Sequence, residues 1–176
     1  MRKGFFLLMI VMIISTVIAL LWDKISFVRN AVHSVLDPTF GYILNINLVI
    51  GFLFITFLIT LITTLLQKYT TDQEALKQLK EDQKKSQEEM KMHSHDPGKV
   101  MELQKKQFEN FPKTFDLTMK PLLYTAIPFI LLLRWFSDIF KNLGDPKFFG
   151  FLGWIWFYII FSLIFNIILR KILKVY

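Results

Sequence analysis

The sequence predicts an all-α integral membrane protein: a small transmembrane helical bundle with a cytoplasmic antiparallel coiled-coil hairpin. Three observations point there. Hydrophobic residues make up 53% of the 176 and gather into four blocks, and the mean hydropathy of +0.43 is too high for an ordinary soluble domain. Between the second and third blocks lies a segment, residues 68–113, with 10 Lys and 9 acidic residues. The net charge of +7 then reflects basic residues retained on one membrane face rather than attraction to nucleic acid. There is no Cys, which excludes disulfides and thiolate metal sites.

Residues 1–22 read as an N-terminal transmembrane segment. Met1-Arg2-Lys3 leads into the apolar run Gly4–Trp22, and 19 helical residues span about 28 Å, close to the hydrocarbon thickness. A signal peptide also starts basic and turns apolar. Here no small-residue cleavage site follows, and the run ends in bulky Leu20-Leu21-Trp22, so a retained span is expected. Its polar residues are Ser15 and Thr16, which fits a lipid-facing anchor. Residues 23–42 form an external amphipathic segment. Ile25, Val28, Val32, Val35 and Leu36 recur at helical spacing among Lys24, Arg29 and His33, suiting either the headgroup region or a cap on the bundle. Asp37-Pro38 and Gly41 are expected to end it.

Residues 43–67 read as a transmembrane helix, with Ile43–Leu66 almost wholly apolar. At 100° per residue, Asn45, Thr56, Thr60, Thr63 and Gln67 fall within a sector of about 60°. Such a stripe either packs against another helix or is wetted by a cavity.

Residues 68–113 form the hairpin. Tyr69–Met92 holds opposite charges three or four apart, as in Glu81 with Lys84 and Lys85, which support a helix. The pattern breaks at His93–Gly98, where Asp96 is an N-cap and Pro97 a first helical residue. A second helix follows, with Val100, Leu103, Phe108 and Phe111 as a thin apolar stripe. His93 and His95 have no third ligand nearby and read as solvated turn residues, so neither metal nor cofactor is expected. Residues 114–136 form the next span, entered through Lys120-Pro121 and kinked near Thr125 by Pro128. Residues 137–147 are an external loop with the turn signal Gly144-Asp145-Pro146. Residues 148–176 are the last span and a basic tail, in which Tyr158, Ser162 and Asn166 make a second polar stripe.

Placing the hairpin in the cytoplasm puts both termini there too. That side then carries 16 basic residues against 5 outside, as the positive-inside bias requires. Trp22, Trp135, Trp154 and Trp156 fall near the outer ends of their spans, where indole rings favour the interface. The chain lacks the phosphate-loop, zinc-hydrolase and serine-hydrolase signatures. No Asp or Glu lies inside an expected span, and no nucleophile is paired with a base. The sequence does not read as an enzyme.

The stretch Leu65-Leu66-Gln67-Lys68-Tyr69-Thr70-Thr71-Asp72-Gln73, the Lys/Gln/Met-rich hairpin, and Lys120-Pro121-Leu122 leading to Ile127-Pro128 resemble the archaeal YidC-like proteins of the YidC-type membrane protein insertase superfamily. The resemblance runs from about Leu36 to the C-terminus. The chain departs from bacterial members in lacking their large external domain, their extra pair of spans and an Arg within the span before the hairpin.

The resemblance implies a cell-membrane insertase and chaperone that passes short polar segments of nascent membrane proteins through a hydrophilic groove, open to the cytoplasm, without nucleotide hydrolysis. It assigns the groove to Asn45, Thr56, Thr60, Thr63, Gln67, Thr125, Ser162 and Asn166. Lys120, Met90, Met92, Met101 and Met119 would sit at its mouth, the Met residues offering soft apolar contacts. Nascent membrane proteins and the bilayer are the implied partners. The ribosome is a further one through the hairpin, although a net hairpin charge of +1 gives little attraction for RNA. DNA is not expected. The competing readings are an ion channel and a coiled-coil membrane scaffold. Selectivity in the channel would have to come from hydroxyls and amides, and the scaffold would not need the polar stripe.

Overall fold

The computed structural model describes residues 2–175, without the side chains of residues 2–5, 110, 113, 116, 120 and 121. Seven α-helices follow one another: α1 (Arg2–Leu20), α2 (Ser26–Leu36), α3 (Tyr42–Ile46), α4 (Leu48–Thr70), α5 (Gln73–Met92), α6 (Pro97–Asn142) and α7 (Trp154–Leu173). By length and composition α4, the Leu117–Asn142 part of α6, and α7 can each cross a membrane, whereas the described apolar part of α1, Phe6–Leu20, is shorter. Three helices are thus long and apolar enough to cross a membrane, and α1 is a further helix of 19 residues. The principal packings pair α4 with α7, α1 with α6, and α5 with the first part of α6.

Asp37-Pro38 does not stop the amphipathic segment. Asp37–Gly41 forms one π-helical turn between α2 and α3. There Tyr42 N–H donates to the Asp37 carbonyl, five residues back, and also to Thr39, so the wider turn absorbs the bond that Pro38 cannot make. The break comes later, at Asn47, whose backbone is extended and whose side chain accepts from Ile50 N–H. The apolar run from Ile43 is thus two pieces, α3 and α4, divided by an N-cap inside it.

The corner closes tightly. A Cβ on Gly51 would lie 2.6 Å from the Ile43 carbonyl oxygen. Alanine normally stabilises a helix interior over glycine by about 0.5–1 kcal/mol. Gly51→Ala is expected to reverse that sign and destabilise the fold by about 1–3 kcal/mol, because backbone must shift to admit the methyl. A lowered melting temperature in detergent checks it.

After α4 the chain turns at Thr71-Asp72, and the Asp72 carboxylate caps α5 through Glu74 and Ala75 N–H. Asp96 caps α6 through Gly98 and Lys99 N–H, with Pro97 at the first position. Leu76, Leu79 and Leu103 are buried where α5 and α6 pack. Burial, with Arg170 of α7 nearby, holds the Lys80 ammonium below its ordinary pKa, so the base of α5 lies close to the C-terminal end of α7.

The chain does not end one helix and begin another at Lys120-Pro121. α6 is a single helix of 46 residues, about 69 Å long at 1.5 Å per residue, and runs unbroken through Pro112, Pro121 and Pro128. Each proline removes one intrahelical bond, which the flanking turns of a long, packed helix can carry. α6 also extends past Trp135 to Asn142, and α7 begins at Trp154 rather than Phe148. The connecting loop takes positive φ at Gly144, Asp145, Phe149 and Gly150. It folds Phe148 back into the bundle, where it is 3% exposed.

That loop end of the bundle is the packed end. Phe52 of α4 is surrounded by Phe136 and Phe140 of α6, Phe148, and Phe157 of α7, with ring centroids 4.8–5.4 Å apart. Toward the hairpin, α4 and α7 stay together through Phe57 and Phe165, while α6 packs mainly on α1. The weaker packing between α4 and α6 leaves a cleft.

Candidate functional site

The cleft lies between α4 and α6, with α1 along one side. Its first part, about 200 Å³, is lined by Ile59, Ile62, Thr63 and Leu66 of α4, by Phe40, and by α6 from Tyr124 to Leu132. The second part, about 580 Å³, continues between α6 and α1, where Met12, Ser15, Thr16, Ala19 and Leu20 face Leu122 to Leu133. Thr63, Thr125 and Phe129 line both parts. The polar side chains on its walls are Ser15, Thr16, Thr63, Tyr124 and Thr125, and no charged side chain lines it among the described residues. The Thr16 hydroxyl donates to the Met12 carbonyl, and that of Thr63 to its own helix. The Ser15 hydroxyl is buried without a partner.

Of the residues expected in the groove, Thr63 and Thr125 meet there. Thr56 and Thr60 are 0% and 4% exposed, and each donates its hydroxyl to the carbonyl four residues back. Thr60 and Thr64 share a helical face with Phe57, which packs on Phe165 of α7. Thr60 thus lies toward the α4–α7 packing face, and the Thr56 and Thr60 hydroxyls are both satisfied inside their own helix. Asn45 is exposed on α3, beyond the break at Asn47. Gln67 is half-buried at the hairpin end of α4, where its carbonyl accepts from the Gln73 side chain. Ser162 and Asn166 are half-buried on α7, on the face of buried Tyr158 and Leu169, and do not line the cleft.

The mouth residues do not assemble. Met90, Met92 and Met101 lie near the hairpin tip, where Met92 and Met101 are 71% and 73% exposed. Met119 lies 18 residues further along α6, about 27 Å away at 1.5 Å per residue. The Lys120 side chain falls outside the described residues. The uninterrupted course of α6 is what separates the tip from the base.

The sequence reading missed a polar cluster at the loop end. The expected spans contain no acid, but α6 continues far enough to bring Asp138 into the bundle, where it is 6% exposed. Its Oδ2 accepts from Trp22 Nε1 at 2.8 Å and Arg29 Nε at 2.9 Å, and lies 3.2 Å from His33 Nε2. His33 Nδ1 faces Asp37, which also accepts from Trp135 Nε1 at 2.7 Å. Asp23 pairs with Arg29 and Arg134, and the Arg134 guanidinium lies 6.0 Å from the Trp22 ring. Trp22 and Trp135, expected at the lipid interface, are instead 1% and 0% exposed. Trp156 is the exposed one, and Trp154 stacks on Phe140. The cluster joins the end of α1, α2 and the end of α6, and so ties together the end of the bundle opposite the hairpin.

The cleft offers hydroxyls and aromatic faces along two helices that are braced only at one end.

The chain matches the family described as integral membrane protein EMC3/TMCO1-like over residues 33–149, a region containing α4, the hairpin and α6. No curated protein and no solved structure matches the chain.

Proposed function

The chain belongs to the EMC3/TMCO1-like family of integral membrane proteins, a family tied to membrane protein insertion within the Oxa1/YidC/Alb3 superfamily, and from that premise we propose that it is itself a membrane protein insertase. The observation that carries the proposal is the cleft between α4 and α6, with Thr63 and Thr125 on facing walls. Moving a charged side chain to the bilayer centre costs about 2.5–3.5 kcal/mol on insertion scales. A cleft that admits water between two spans shortens the distance over which that cost is met. Its largely apolar lining simultaneously offers a surface for the hydrophobic segment that follows.

In this reading α5 and the first part of α6 form a coiled-coil hairpin on the cytoplasmic side, and both termini share that side. The charge distribution supports it, with 16 basic residues on the hairpin side against 5 on the other. The likeness of the hairpin to that of the archaeal YidC-like proteins supports the same placement. Substrates are nascent membrane proteins with a short translocated tail, and no nucleotide is consumed.

Site-specific photocrosslinking tests the reading. A probe at Thr63 is expected to crosslink a ribosome-bound nascent chain bearing one emerging hydrophobic segment. A probe at Ile167, 70% exposed on α7, is expected not to. Equal labelling at both positions, or none at either in a folded, membrane-embedded protein, would overturn the reading and favour a channel or a scaffold.

A further inference from the structure

We infer that α1 is a displaceable surrogate for substrate: it occupies the face of α6 that receives the transmembrane segment of an inserting protein, and it moves aside about its Trp22 end when that segment arrives. The inference rests on the insertase reading and names the element that guards its site.

Three observations lead to it. First, α1 is held firmly at one end. Trp22 donates to Asp138 at 2.8 Å, and Asp23 pairs with Arg29 and Arg134 just beyond it. Along the rest of its length α1 packs on α6 through apolar side chains. Lipid tails solvate such side chains as well as protein does, so burial gives an apolar helix no hydrophobic reason to stay on its neighbour. Close packing has to hold it.

Second, that packing is incomplete. An open groove of about 580 Å³ runs beside the α1–α6 contact and reaches Thr63 of α4, so α1 is packed on one side only. α1 forfeits dispersion contacts along the stretch where it needs them.

Third, Ser15, one of the residues beside this space, is 7% exposed, and its buried hydroxyl has no hydrogen-bond partner. A serine in a membrane helix ordinarily bonds back to its own carbonyls, as Thr16 does to Met12. A buried hydroxyl left without a partner marks a helix contact that is not fully satisfied.

The occupant follows from chemistry. α1 is an apolar helix whose described polar side chains are Ser15 and Thr16, and it borders a cleft with no charged side chain on its walls among the described residues. A substrate's hydrophobic helix presents the same surface, so it can take the place of α1 on α6 at little net cost, one apolar helix exchanging for another. α1 then moves out into lipid, which its exposed outer face of Phe6, Met9, Ile13 and Val17 already meets.

The chain has no Cys, so Ser15→Cys with Ala126→Cys can be bridged by a reducible bis-thiosulfonate in protein reconstituted into lipid vesicles. Bridging is expected to cut insertion of a one-span nascent chain by about tenfold, with recovery on reduction. Spin labels at Ile13 and Tyr124 give a second readout that does not depend on insertion. Adding the nascent chain is expected to lengthen their separation by about 10 Å, one helix diameter. Unchanged insertion after bridging, or an unchanged distance while Thr63 still crosslinks the nascent chain, would overturn the role of α1 and leave the insertase standing. Loss of Thr63 crosslinking in the unbridged protein would instead bring down the insertase reading, and the role of α1 with it.

Discussion

Replacing Asp138 with alanine is expected to destabilise the bundle by about 2–4 kcal/mol, the largest stability effect of any single substitution outside the aromatic core. One oxygen of this carboxylate takes bonds from Trp22 and Arg29 and faces His33. Its removal leaves the Trp22 N–H, on a side chain 1% exposed, without an acceptor. It also leaves the Arg29 guanidinium without its closer partner, although Asp23 remains at 3.9 Å. Removing one member of a buried ion pair costs about 3–5 kcal/mol, and the Arg29 side chain, 39% exposed, recovers part of that from water.

Asp138→Asn keeps an acceptor oxygen and loses only the charge, so it should cost about half as much. Arg29→Met should cost less again, since it removes a half-exposed group and leaves Trp22 bonded. Midpoints of SDS-induced unfolding give the order Ala, Asn, Met from most to least destabilising. Equal midpoints for wild type and Asp138→Ala would show that the cluster does not brace the loop end.

The positions at which the sequence misled have a common physical cause. Periodicity reports which face of a helix is apolar, and the apolar stretches of α4, α6 and α7 were legible from it. It carries no information about partners distant in sequence. Asp138 is separated from Trp22, Arg29 and His33 by 116, 109 and 105 residues, so its burial was invisible. The legible hint was an acid one turn beyond Trp135 in a stretch still rich in Phe and Ile. Trp22 and Trp135 serve as hydrogen-bond donors to carboxylates and not as lipid anchors.

Proline was over-read for the same reason. Its missing N–H is a local fact, whereas the continuity of α6 through Pro112, Pro121 and Pro128 depends on the whole length of helix around them. Asn47 was under-read. It sits inside an apolar run with no glycine or proline beside it, yet its side chain caps α4 and sets where that helix begins. For the cleft, the stripe was real as a helical sector, but a sector of about 60° is wide enough to straddle two neighbours. α7 takes the Thr60 edge and the cleft takes Thr63.

This split sets up the sharpest functional test. Thr56→Val and Thr60→Val remove hydroxyls that bond only to their own helix. The carbonyls they leave keep their helical N–H partners, and valine fills nearly the same volume, so each change should cost about 1 kcal/mol or less. Insertion should stay within about twofold of wild type, equivalent to under 0.5 kcal/mol in the barrier. Thr63→Trp puts an indole into the space shared by both parts of the cleft. The cleft is already open there, so the indole displaces no packed core, and the bundle should hold. A substrate helix, however, would have to pass the indole, and insertion should fall by about tenfold or more, at least 1.4 kcal/mol in the barrier.

Thr125→Trp approaches from the facing wall and should act in the same direction. A reversal, with loss of insertion at Thr56 or Thr60 and none at Thr63, would place the substrate between α4 and α7. Reconstituted insertion, measured beside the SDS midpoint of each variant, separates a blocked path from an unfolded protein.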